Sequence, residues 1–583
     1  MKGFDILHLK SATKSHNKFD LSCSHLTTMD MGQIVPLYST ELVPGDQFDI
    51  KANFFSRLSP MVKPTYGRLQ FKTACFFVPY YQIDDSFESF LAANKTHLTS
   101  AAESRYILLS ELYKFYIDGQ ISTSTGASAT NCDLVYKDVG GNTVYRLFTL
   151  KGKYAVKVLN SLGYAIPSNV DLQSTSVWST TIGTTKLSAM PLIAFAKAYN
   201  DYMSISQRYN SSFLSQLLEN IKKDIAYSGF YNATNHYLLK DAIYQIIDDT
   251  RLCYENDYFT SAWQRPESPL AITDTKDYGT IQPHTGGNVT DSLANNNGYS
   301  VNLTQGDNQT ISERNLRFLQ SFYNFVKRNN YAGSRDVQRI FARFGVKPED
   351  YHSNFCHLIG TSSSPVQIGD VTQTTPTASP LGDYAGKGIL SSNYQYKYRS
   401  SDYGMLMILG WYAPQPMMSF GFDKSVLRTT PYDFYQPEFD GLGAEPIPLF
   451  EVYANPKSTD TSFDTQVFGF TERYNSYRFG RDKITGDFRN FDNANPYNTW
   501  HFGRYLDNLR ASGTLVAQSV AFITMPSYDS EFDRIFSVTS GVDNFFLTCY
   551  FEVNAVRPML NLSQVPELGE GDTKVPRNGN VVN

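Results

Sequence analysis

Two clusters of arginine carry most of the chemistry that this sequence offers. Arg335, Arg339 and Arg343 recur at i, i+4 and i+8, which lines them along one side of a helix. They lie away from the apolar face formed by Val337, Ile340, Phe341 and Phe344. Arg473, Arg478, Arg481, Lys483 and Arg489 fall within one short segment, with Tyr474, Tyr477, Phe479 and Phe488 interleaved. Arginine bonds phosphate oxygens, and an exposed ring stacks on any base, so this mixture suits single-stranded nucleic acid. The competing use is ion pairing across a protein contact, or a solvated face. Glu472, Asp482 and Asp487 already offset part of the second cluster. An N-terminal arm with Lys2, Lys10, Lys14 and Lys18 is a third candidate.

The other combinations are weaker. The sequence has no GxxxxGK[ST] phosphate loop, no HExxH and no GxSxG. His352, Cys356 and His357 are close in sequence, but without a fourth ligand they are poor grounds for a metal site. Asp84-Asp85 and Asp248-Asp249 are conceivable acid pairs for glycoside cleavage, although adjacent carboxylates on exposed segments are expected to be solvated. Gly441-Leu442-Gly443 lacks the third glycine and the flanking strand and helix of a dinucleotide loop. No catalytic residue, metal ligand or cofactor is therefore expected.

Composition points to contact surfaces. Charged residues are 18% of the 583, below the usual ~25%. Aromatics reach 14%, with 40 Tyr and 40 Phe. Such residues suit half-buried strands and also protein interfaces, which disfavour Lys and Glu. A compact chain of this mass would expose roughly 21,000 Å², enough for several contacts of ~2,000 Å². The net charge of −5 restricts any nucleic-acid contact to a local patch. Six scattered cysteines, none at CxxC spacing, favour a reducing compartment or a fold that needs no disulfides. The start MKGFDILHLK lacks the apolar run of a signal peptide. No apolar run reaches the ~18 residues of a membrane span.

These side chains have to be positioned by strands at both ends of the chain. Phe48, Ile50, Ala52 and Phe54 alternate with Gln47, Asp49, Lys51 and Asn53, giving one apolar and one polar face. Pro44-Gly45-Asp46 turns into this strand. Leu69, Phe71, Thr73, Cys75 and Phe77 mark the next strand, and Phe545, Leu547, Cys549, Phe551 and Val553 the last. Met405 to Trp411 is continuously apolar, as in a strand covered on both faces. Between them, 189–256 reads as mainly helical, helix is also expected near 104–116 and 311–329, and Ser334 and Gly345 bracket a short helix. Residues 119–188, 266–310 and 357–395 read as variable surface loops. The expectation is one mainly β domain, a β-sandwich with core strands within 30–80 and 402–556. The insertions span about 86–400, and an extended tail runs from 557 to 583. In a jelly roll the strands near Phe48 and Phe551 would lie side by side.

Several blocks resemble the major capsid proteins of microviruses, gokushoviruses in particular. The opening segment from Phe19 to Tyr80 resembles the start of that family. LIAFAKAYNDYM (192–203), DYFTSAWQRP (257–266), GSRDVQRIFARFGV (333–346), SDYGMLMILGWYAP (401–414), FGFTERYNSYRFGRDKITGDFR (468–489) and FFLTCYFEVNAVRP (545–558) are similar to later blocks in the same order. The resemblance implies a single jelly roll, an eight-stranded antiparallel sandwich. It implies copies that self-assemble into a T=1 icosahedral shell around a circular single-stranded DNA genome, built in the bacterial cytoplasm. The implied partners are the chain itself, the packaged DNA, a small DNA-binding virion protein, and a pilot or minor virion protein. A host glycan or receptor would meet the surface loops, and no membrane is involved. Lys10, Lys14, Lys18, Arg335, Arg339, Arg343, Arg473, Arg478, Arg481 and Lys483 are the candidate DNA-facing residues. A secreted glycan-binding β-sandwich is the alternative reading.

Overall fold

A computed structural model describes residues 16–92, 104–138, 141–165, 171–172, 184–204, 212–264, 336–346, 354–372, 384–418, 421–441, 443–454, 466–489, 497–526, 531–538 and 542–559, with a few isolated positions besides. The framework strands are β1 (Asn17–Asp20), β2 (Cys23–Met29), β3 (Val35–Leu42), β4 (Gln47–Leu58), β5 (Leu69–Pro79), β6 (His357–Pro365), β7 (Gln367–Thr372), β8 (Tyr384–Arg399), β9 (Gly404–Pro414) and β10 (Phe545–Arg557).

Alternation decides how β4 and β10 sit. Every second residue of β4 from Phe48 to Leu58 is buried, as is every second residue of β10 from Phe545 to Ala555. The two strands pair antiparallel along their length, Phe48 opposite Ala555 and Ala52 opposite Phe551. This is the neighbour relation expected of the opening and closing strands. The other edge of β10 carries β1 and β2 end to end. β8 extends the sheet beyond β4, and β7 beyond β8. A second sheet runs β6-β5-β9-β3.

The two sheets close over one aromatic core. Phe54 meets Phe551 across the paired strands at 6.0 Å between centroids and Phe71 of the opposite sheet at 5.3 Å. Tyr412 stacks on Phe545 at 4.0 Å and donates to Ser56 Oγ at 2.6 Å, which satisfies its buried hydroxyl. The fold is a jelly roll with insertions.

The far face of the second sheet packs on the helical insertion. Phe76, Val78, Met405, Met407 and Leu409 share a core with helices Leu109–Ile117, Leu150–Ser161, Met190–Tyr202, Ser212–Lys222 and Lys240–Asp249. β9 is therefore buried on both faces, which is why it lacks alternation. Among the described residues, the first sheet is packed on one face, and the positions on its other face are exposed or half-buried. A third, smaller core holds Phe259, Ile447, Phe468, Leu506 and Phe522.

Three expectations need correction. Residues 357–395 are not a surface loop. They supply β6, β7 and most of β8, with β6 paired to β5 and β8 to β4. Small hydroxyl residues hid these strands: Ser362 and Ser364 are buried, Ser364 bonds Tyr394 Oη at 2.8 Å, and Tyr396 Oη bonds Thr73 at 2.7 Å. Residues 119–188 contain the buried-faced helix Leu150–Ser161, capped by Thr149, whose Oγ accepts from Gly152 N at 3.0 Å. Asp84 is not solvated, as described below. The short helix runs Asp336–Phe344 and ends at Gly345 with φ +68°, the left-handed cap that glycine supplies. Ser334, most of 266–310 and of 311–329, and the tail beyond 559 lie outside the described residues.

Candidate functional site

The candidate basic residues fall on separate elements. Lys18 lies on β1, exposed, opposite Val556 of β10. Lys10, Lys14 and Arg335 are outside the described residues, as is the side chain of Arg339. Arg343 sits in the last turn of its helix, its guanidinium 4.5 Å from the centre of the Phe325 ring.

The arginine-aromatic segment is folded against its own chain. Strand Val467–Glu472 pairs with Ala444–Pro448, and the turn after it reverses at Tyr474, where φ is +61°. Arg478 bridges Asp440 at 2.6 Å and Glu472 at 3.1 Å. Arg481 donates to the carbonyls of Phe422 and, at 2.9 Å, Glu451. Arg473 lies 5.0 Å from the Phe439 ring and 5.4 Å from that of Tyr474. Lys483 is exposed and 3.6 Å from Asp423. The positive charge here is largely matched within the chain.

This module borders a cleft of about 280 Å³ whose wall includes Tyr258, Lys424, Glu451, Phe479 and Arg481. Burial pushes the Glu451 carboxyl above its usual range, opposed by Lys424 Nζ at 3.7 Å. Burial also raises the Tyr258 hydroxyl well above the ordinary tyrosine value. Lys424 also faces Glu445 at 3.9 Å. One ammonium between two carboxylates holds the cleft floor together.

The paired acids are structural. Asp84 is buried and bridges buried Arg105 at 3.1 Å, while Arg105 Nε donates to the Ile221 carbonyl at 2.9 Å. Asp248 bridges Lys151 at 2.6 Å, and burial raises the Asp249 carboxyl. Cys356 is buried, its N–H donating to Asp201 Oδ2 at 2.9 Å, and the His357 ring packs 5.9 Å from Phe77.

Two polar clusters join the sheets to their surroundings. Arg557, at the end of β10, reaches back to Asp46 in the turn before β4, with Nη2 at 2.8 Å and Nε at 3.1 Å from Oδ2. The Asp46 side chain is fully buried. Lys157, from the helical insertion, donates to Gln33 at 2.7 Å and to Asp543 at 2.6 Å. Beside them, burial pushes the Asp30 carboxyl up to about 6.

The open face of the first sheet went unnoticed in the sequence. Its rows follow from the registers: Thr28, Phe546, Arg57 and Ile389; Leu26, Thr548, Phe55 and Ser391; Ser24, Tyr550, Asn53 and Asn393. All four of the first row are on exposed positions, and so are Leu26, Phe55 and Tyr550. The available signal was the polar side of the period-two pattern, where Phe55, Phe546 and Tyr550 break an otherwise polar series.

Comparison with known proteins adds the relationship. A model of the family described as capsid protein (F protein) matches residues 7–107 and 163–567. Capsid protein VP1 of Chlamydia phage 1 is 26% identical over 94% of this chain and 95% of its own length. Capsid protein VP1 of Bdellovibrio phage phiMH2K is 23% identical over 85% and 86%. Capsid protein VP1 of Spiroplasma virus 4 is 22% identical over 34% of this chain and 36% of its own. The family match omits 108–162, the stretch that holds two of the insertion helices.

Proposed function

The chain belongs to the capsid protein (F protein) family, and we propose that it is the repeating unit of a T=1 icosahedral shell around a circular single-stranded DNA genome. It is a structural major capsid protein. The observation that carries the mechanism is the placement of β10 between β4 and the β1–β2 ribbon. β10, the last strand among the described residues, is locked inside the first sheet, and on this reading the subunit acts as a wedge that repeats without changing shape. A closed shell needs heterologous contacts whose rotation closes, and many individually weak contacts then act together.

The insertions supply the variable surface. The exposed parts of 119–188, away from the buried helix Leu150–Ser161, are read as outward-facing, where they would meet a host glycan or protein receptor. The N-terminal arm with Lys10, Lys14 and Lys18 is placed on the inside. A small DNA-binding virion protein and a pilot or minor virion protein are the expected further partners. The buried thiols of Cys75, Cys356 and Cys549 suit assembly in a reducing bacterial cytoplasm.

Electron microscopy and sedimentation of the purified chain test the reading. Uniform spherical particles, or pentamer-like intermediates that depend on concentration and salt, are expected. Strictly monomeric behaviour under all conditions would refute it.

A further inference from the structure

We infer that the open face of the β1–β2/β10/β4/β8/β7 sheet is a binding surface for single-stranded DNA. The inference rests on the shell reading only for the presence of such a strand next to the subunit.

The argument starts from the layers. The second sheet is buried between the sandwich core and the helical insertion, whereas the first sheet presents one whole face outward. That face is basic on an acidic chain. Residues directly opposite across an antiparallel pair share a face, so Lys18, Val556, Gln47 and Arg399 form one row. Lys51, Arg57, Lys387 and Lys397 lie on the same side. These six basic side chains stand against three acidic ones, Asp20, Asp49 and Glu552, in a chain of net charge −5.

The pairing is incomplete. Lys51 meets Glu552 at 3.5 Å and Lys397 meets Asp49 at 3.6 Å, all four well exposed. Among the described residues, no carboxylate lies within ion-pair distance of Arg57, Lys387 or Arg399. Exposed pairs of this kind contribute little, so phosphate can displace them.

Rings occupy the centre. Phe55 is 42%, Phe546 45% and Tyr550 48% exposed. Phe546 and Tyr550 are the two diagonal neighbours of Phe55 across the β4–β10 pair. Diagonal positions are about 7 Å apart, twice the ~3.4 Å rise of stacked bases, so one base fits between successive rings. The Arg57 guanidinium lies 5.4 Å from the Phe55 ring centre, which puts a phosphate-binding charge beside a stacking platform. Asn53, Asn393 and Gln395 line the adjoining rows with hydrogen-bonding amides. Stacking, scattered cations and amides on a flat sheet match a single strand with exposed bases, whereas a duplex hides its bases.

Fluorescence anisotropy with a labelled oligothymidylate of about 20 nucleotides tests this on the full-length, unassembled chain. The variant Phe55→Ala/Tyr550→Ala is expected to weaken binding at least about tenfold. Arg57→Gln/Lys387→Gln is expected to flatten the salt dependence of log K by ~0.7 per lost phosphate contact. Arg478→Gln is expected to bind like the parent. Particle formation by each variant is scored separately by electron microscopy. Variants that assemble and bind the oligonucleotide like the parent overturn the inference and leave the shell reading standing. Variants that lose assembly but keep full binding overturn it too, because the face would then be a subunit contact. A parent chain that binds DNA yet never assembles leaves the surface in place and removes the shell.

Discussion

Removing the Arg557 side chain should loosen the link between the two ends of the chain. Asp46 is fully buried and accepts from Arg557 Nη2 at 2.8 Å and from Nε at 3.1 Å, with one further bond from Val43 N at 2.9 Å. Arg557 Nη2 also donates to the Glu41 carbonyl at 2.9 Å, and its guanidinium lies 5.6 Å from the Phe48 ring centre. Arg557→Ala leaves a buried carboxylate without its cation, a change that costs ~3–5 kcal/mol when a pair is fully buried. The Arg557 side chain is 16% exposed, so water can replace part of the loss and about 3 kcal/mol is expected. Arg557→Lys keeps the charge but not the two-pronged geometry and should cost about 1–2 kcal/mol. Urea unfolding of the full-length chain reads these values through tryptophan fluorescence, since Trp411 lies in β9 of the facing sheet. A cycle with Asp46→Asn should return a coupling of about 2 kcal/mol. A loss below ~1 kcal/mol, or a coupling below ~0.5 kcal/mol, would refute the idea that this contact fastens the end of β10 to the turn before β4.

Two further outcomes are expected. The Asp30 carboxyl titrates near 6 against an ordinary 3.8 because burial opposes its charge; its contribution to stability is full below pH ~4 and is lost as pH rises through 6. Asp30→Asn should therefore gain up to about 3 kcal/mol at pH 7.5 and almost nothing at pH 4, and urea midpoints that shift equally at both pH values would contradict this. A Cβ added at Gly404 would lie 2.5 Å from the Val78 carbonyl oxygen and 2.7 Å from the Phe77 ring, a clash with backbone that cannot swing aside. Gly404→Ala should destabilise by about 1–3 kcal/mol and lower the yield of assembled particles; an unchanged melting temperature would show that β9 and β5 can separate freely at that end.

Much of the framework was written in local pattern. The alternation in 47–54 and 545–553 marked two strands and their inward faces, and the unbroken apolar run 405–411 marked a strand covered on both sides. Pro44-Gly45-Asp46 marked the turn, although nothing in it announced that Asp46 would receive Arg557 from 511 residues away. β6, β7 and β8 stayed hidden because small residues fill buried positions there: Ser362 and Ser364 bond the hydroxyls of Thr73, Tyr394 and Tyr396, and Gly386 and Gly388 sit where larger side chains would mark an inward face. The arginines of 473–483 were legible as a cluster, but not as partners of Asp440, Glu472 and the Phe422 and Glu451 carbonyls.

What the sequence alone determined, then, was which residues point inward along each strand, because a period of two is a property of the extended backbone itself. Only the tertiary structure decided which face of which sheet stays open. That depends on where the helices between Leu109 and Asp249 fold back: their apolar residues pack on the outer face of the second sheet. The same exposed Phe55, Phe546 and Tyr550 read as scattered exceptions along the chain and become a single platform in the fold, because antiparallel pairing brings positions some 490 residues apart to within ~7 Å of each other.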